Sequence, residues 1–156
     1  MESDADPQTW LLFGVLSSLL TALLHPDSGR DAKGSSLAPP PTRDRPHSRI
    51  ERFTRYGHYL STLKMPSGSL PCDINYLDQQ YSVVPALEGP DKKKGAPIYI
   101  FENEKLVSTV MPKEDLGLQN FVHIHNAALR RIAGKLYIIA QAWNPGDFAI
   151  LEQVTS

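Results

Sequence analysis

The clearest apolar–polar pattern along the chain is "PIYIFENEKLVSTVM", residues 97–111, where two β-rich runs flank the polar "ENEK". That is a hairpin pattern and predicts two strands within 98–111. A second pair of β-rich runs, "KLYIIAQAW" and "FAILEQV", is joined by the turn "NPGD" and predicts a hairpin over 135–154. Between the two hairpins the spacing lengthens. Leu118, Phe121, Val122, His125, Leu129 and Ile132 recur at helical intervals, with Glu114 and Asp115 ahead of them and Gly134 behind. This predicts a helix over 114–133, with acids in its first turn and a glycine closing it. Ile50, Phe53, Tyr56, Tyr59 or Leu60, and Leu63 also follow helical steps, so a second helix, weakened by Gly57, is expected over 50–64. "YSVVPAL" is β-branched but carries Pro85, which demotes it to an edge strand or a short one. The expected fold class is α+β: a small antiparallel sheet of two hairpins packed with these helices.

Upstream of Ile50 the pattern changes twice. Residues 1–25 contain "WLLFGVLSSLLTALL", an uncharged apolar run from Trp10 to Leu24. Residues 26–49 are rich in proline, serine, glycine and charge, and have almost nothing to bury. Such a segment does not offset its ordering entropy, so it reads as a disordered linker. The expected organisation is a hydrophobic N-terminal segment over 1–25, a linker over 26–49 and one α+β domain over 50–156. As a helix the apolar run would span roughly 22 Å, short of the roughly 30 Å hydrocarbon core of a bilayer. That length suits a signal-peptide core, although Glu2, Asp4 and Asp6 stand where a signal peptide carries positive charge. Gly14, Ser17, Ser18 and Thr21 would share one helical face, which also fits a close-packed anchor or a docked helix. A membrane contact through residues 10–24, or secretion, is favoured over a cytoplasmic location.

Composition narrows the chemistry. The 16 basic and 17 acidic residues nearly cancel, so no net field draws in nucleic acid. Cys72 is the single cysteine, which excludes an intramolecular disulfide, a multi-thiolate zinc site and a two-cysteine redox motif. No phosphate-cradling glycine loop, nucleophile elbow or zincin motif occurs. The acid pairs Glu102 with Glu104 and Glu114 with Asp115 fall in a hairpin turn and a helix first turn, where solubility and the helix dipole account for them. "RRIAGK" gives a small basic spot of Arg130, Arg131 and Lys135.

His123 and His125 are the remaining candidates for chemistry. On a helix His125 falls on the buried stripe and His123 faces water beside Asn126 and Arg130, so the two do not meet one ion. On a strand they would share a face, but no carboxylate stands near them and no histidine follows them in sequence. No catalytic residue, metal ligand or cofactor is assigned. The most aromatic stretch, "RFTRYGHYL", supplies Arg52, Phe53, Arg55, Tyr56 and Tyr59, residue types favoured at interface centres. The expectation is a non-enzymatic protein-binding or scaffold module, tethered to the N-terminal segment, with these five residues as its partner-binding surface. A secreted or luminal factor with a cleaved signal peptide is the runner-up. A small histidine-dependent enzyme is the third reading.

Overall fold

A computed structural model describes residues 9–15, 42–44 and 47–154. Its strands in chain order are β1 (Thr9–Val15), β2 (Thr42–Asp44), β3 (Arg49–Phe53), β4 (Tyr59–Lys64), β5 (Leu70–Pro71), β6 (Asn75–Tyr76), β7 (Tyr81–Glu88), β8 (Ile98–Glu102) and β9 (Lys105–Val110). A five-residue helix, α1 (Pro112–Leu116), precedes β10 (Ile124–Ile132), β11 (Lys135–Ala142) and β12 (Asp147–Val154). The described chain is thus mostly β, not α+β, and every strand pairing in it is antiparallel.

Three sheets form. β7, β8 and β9 make a central sheet, with β5 and β6 both paired to the outer edge of β7. One face of β7 and β8 (Val83, Ile98, Ile100) joins Phe121, Ile124, Leu129, Ile138 and Leu151 in the larger core, against a sheet ordered β1-β12-β11-β10. The other face (Val84, Ala86, Tyr99, Phe101) meets Ile50 and Leu63 from the sheet ordered β2-β3-β4, and Met65 just after β4. Burial on both faces explains why β7 and β8 read as continuous apolar runs instead of alternating ones. In this second core Ser69 and Tyr99, both buried, join their hydroxyls at 2.6 Å.

Pro85 therefore lies inside a central strand, not at an edge. Its carbonyl accepts from the Cys72 amide at 2.9 Å, so its missing N–H points to the same side, where the chain passes from β5 to β6. No ladder donor is needed there, and β8 pairs along the other edge unhindered.

The expected helix over 114–133 is replaced by α1, a turn and β10. Gly117 ends α1 in the left-handed conformation (φ 71), and its N–H returns to the Pro112 carbonyl. Beyond it only part of the helical stripe faces inward: Phe121 and Leu129 are buried, whereas Ile132 is exposed. β10 also carries a bulge. The register steps from Ile124↔Ala142 to Asn126↔Gln141, which leaves His125 as the extra residue. Ile124 and Ala127 then face the core three residues apart, and two-residue alternation resumes through Leu129. Gly134 closes no helix. With Ala133 it forms a two-residue hairpin turn, both at positive φ (49 and 83), between β10 and β11.

The expected helix over 50–64 is the β3–β4 hairpin. Ile50 lies directly opposite Leu63, and the register shift beyond Arg52↔Ser61 leaves Leu60 without a partner across the ladder. That bulge and the turn at 54–58 together reproduce helical intervals in a strand pair.

Part of the apolar N-terminal run is a strand as well. Thr9–Val15 pairs with β12, so residues 10–15 are not helical, while residues 16–24 lie outside the described part. Residues 42–44 and 49, at the end of the expected linker, belong to β2 and β3, whereas 26–41, 45 and 46 are outside the description. Among the described residues no helix is long and apolar enough to cross a membrane.

On the outward side of β11, Lys135 forms a salt bridge with the buried Glu152 carboxylate. The Lys135 hydrogen bond, aided by Tyr137, holds the Glu152 carboxyl below its ordinary value of 4.5, and Glu152 in turn raises Lys135. A lowered carboxyl contributes stability that is complete above its unfolded-state value and is lost as pH falls through the folded one. The raised Lys135 contributes stability that fades only as pH rises through its own folded value, far from this range. Glu152→Gln is therefore expected to flatten the loss of stability below about pH 4.5, measured by urea denaturation across pH. An acid limb as steep as the native one would show that the pair is not coupled to folding.

Candidate protein-binding surface

The tip of the β3–β4 hairpin is built around Thr54. Its amide donates to the His58 carbonyl at 2.7 Å, and its carbonyl accepts from Gly57 at 2.9 Å. Its hydroxyl accepts from the amides of Tyr56 and His58 at 3.3 and 3.1 Å. The turn is thereby ordered by its own backbone, and it raises Tyr56 and Tyr59 into solvent at 72% and 58% exposure. The bulge leaves Leu60 exposed as well.

Each of the five residues singled out by sequence has a partner in this region. Phe53 and Tyr59, opposite each other in the ladder, meet edge to face at 6.0 Å. The Tyr59 hydroxyl donates to Thr62 Oγ1 at 2.7 Å, and Thr62 donates onward to Glu51 at 2.7 Å, which also pairs with Arg49. Arg55 lies over the Tyr56 ring, 4.6 Å from its centre, and donates to the Tyr56 hydroxyl. Arg52 pairs with Glu104 on the β8–β9 turn and lies 5.9 Å from the centre of the Tyr76 ring.

Tyr76 carries the surface off the hairpin and onto β6. Burial raises its phenol above the ordinary value, with Arg52 partly offsetting this, so it stays protonated and neutral. Its neighbour Asn75 accepts from the Leu129 amide at 3.1 Å and from Arg130 at 3.3 Å. Arg131 follows, 5.8 Å from the centre of the Tyr81 ring. The Tyr81 hydroxyl donates to Glu102 at 2.7 Å, a bond that raises its phenol too. The result is a belt of tyrosines and arginines from β3, β4, β6, β7 and β10 that passes from one face of the β6–β7 pair, with Tyr76 and Arg52, to the other, with Tyr81 and Arg131.

Tyr76, Tyr81, Arg130 and Arg131 were not part of the expected surface. They come from distant stretches of sequence, and no local pattern links them to residues 52–59. Lys135 of the "RRIAGK" spot is held by Glu152 instead.

His123 Nδ1 donates to the Leu87 carbonyl at 2.7 Å, while the His125 ring lies 6.5 Å from that of Trp143. Neither takes its expected helical position, because His123 is in a bend and His125 is in the bulge. Among the described residues no group of three His, Cys, Asp or Glu side chains is arranged to hold a metal ion. Glu114 accepts from the Gly95 amide and Asp115 from the Met111 amide, both at 2.8 Å, so this acid pair ties α1 to its surroundings. Cys72 is buried. No protein-family model matches the chain, and no curated protein shows significant sequence similarity to it.

Proposed function

We propose that this chain is a non-enzymatic protein-binding module and that the tyrosine–arginine belt is its contact surface. The observation that carries this reading is the grouping of exposed Tyr56, Tyr59, Leu60 and Tyr76 beside arginines already stacked on aromatic rings. Large amphipathic rings supply contact area at low entropy cost, and a guanidinium held over a ring loses little further freedom on binding. Tyr and Arg are the residue types that concentrate binding energy in protein interfaces. Carboxylates interrupt the arginines, Glu104 pairing with Arg52 and Glu102 accepting from Tyr81, which suits a protein surface better than a polyanion.

The test compares full-length wild type with Tyr56→Ala/Tyr59→Ala and with Lys93→Ala, an exposed loop residue away from the belt. Proximity labelling in cells identifies proteins enriched with wild type, and each is then purified and titrated against all three chains. At least one partner is expected whose Kd weakens about 30-fold with the double variant, equivalent to about 2 kcal/mol, and stays unchanged with Lys93→Ala. Equal affinities across the three chains, with the fold of the double variant intact by circular dichroism, would overturn the proposal.

A further inference from the structure

At the opposite end of β10 from Arg130 and Arg131, a second and chemically different surface is present. Trp143 leaves β11 just after the buried Ala142 and is 63% exposed, and its backbone N–H donates a hydrogen bond to the His123 carbonyl at 2.9 Å. The His125 ring stands beside it at 6.5 Å, tilted by 43°, because the β10 bulge turns this residue out of the ladder's alternation. In the adjacent cross-strand pair, Asn126 Nδ2 donates to Gln141 Oε1 at 3.0 Å, which places both amides on one face. Phe148, half-buried, lies opposite Gln141 on β12.

We propose that Trp143, His125, Asn126 and Gln141 form a binding site for a neutral saccharide. The amide pair spends one donor and one acceptor on itself. Asn126 Oδ1 and the Gln141 Nε2 hydrogens remain for a ligand, an acceptor and a donor side by side. That array complements two neighbouring hydroxyls, each of which both donates and accepts. The open indole matches the apolar C–H face of a pyranose ring, so one ligand satisfies both features. The Asp147 carboxylate lies opposite Ala142 on β12, where it accepts from Asn120 at 3.1 Å and from the Phe148 amide at 2.8 Å, and its charge disfavours an anionic sugar. This site is distinct from the tyrosine–arginine belt and does not depend on the belt's function.

Tryptophan emission of the full-length chain tests the proposal, because Trp143 has a single companion, Trp10. Cellohexaose, maltohexaose and mannohexaose are the probes, each titrated to about 10 mM. At least one is expected to give a saturable emission shift with a Kd on the order of 0.1–1 mM, as shallow, open sites give. Trp143→Ala abolishes the shift, and Asn126→Ala weakens the affinity about tenfold, with both exposed positions leaving the fold intact by circular dichroism. The proposal is overturned if none of the three sugars gives a saturable shift, or if the shift survives Trp143→Ala.

Discussion

Phe121→Ala is expected to lower the stability of the chain by about 3–5 kcal/mol, the cost of removing a fully enclosed aromatic ring and leaving a cavity. Phe121 is fully buried in the larger core, at the point where the segment after α1 turns into β10. Its backbone is committed too: the amide donates to the Leu118 carbonyl at 2.9 Å, and the carbonyl accepts from Ala96 at 3.3 Å. The surroundings have little freedom to collapse into the gap. Gly95 already lies so close that a Cβ there would stand 2.8 Å from the Phe121 oxygen and 2.7 Å from Lys113 Cβ. Urea denaturation should show a lower midpoint with an unchanged slope. A loss below about 1 kcal/mol would mean that the ring is not enclosed as described.

Val83→Asp and Val84→Asp are each expected to destabilise the fold by about 4 kcal/mol or more, since both bury a carboxyl with no partner. These neighbouring residues point to opposite sides of β7, Val83 into the core shared with β10–β12 and Val84 into the core shared with β3 and β4. The paired result is the informative one. A strand with one wet face would tolerate one of the two substitutions. Thermal melts of both variants decide the matter, and a near-native melting temperature for either would contradict a central sheet covered on both faces.

The same contrast runs through the proposed contact surface. Arg52, Phe53, Arg55, Tyr56 and Tyr59 are conspicuous in sequence because they are consecutive or nearly so, and the hairpin keeps them together. Tyr76 and Arg131 reach the surface only because β6 pairs with β7 and β10 packs against both. No helical or strand periodicity encodes such neighbours, which depend on pairings between residues far apart in the chain. The Trp143 site is similar. The Asn126–Gln141 bond spans a hairpin whose existence depends on reading Ala133 and Gly134 as a turn and not as a helix end.

What the sequence determined by itself is local. Strands over Ile98–Glu102, Lys105–Val110, Lys135–Ala142 and Asp147–Val154 follow from β-rich runs on either side of short polar turns. Single-cysteine chemistry and near-neutral charge follow from counting. Tertiary structure alone decided that 50–64 is a hairpin and that the apolar residues after Gly117 feed a strand. In both places a bulge breaks the two-residue alternation by which periodicity recognises a strand. It also decided that Pro85 is central and that Thr9–Val15 forms a strand. Whether a proline blocks a ladder depends on which edge its nitrogen faces, and whether an apolar run becomes a strand depends on an unfilled edge such as that of β12. Both are properties of the neighbouring strands and not of the segment itself.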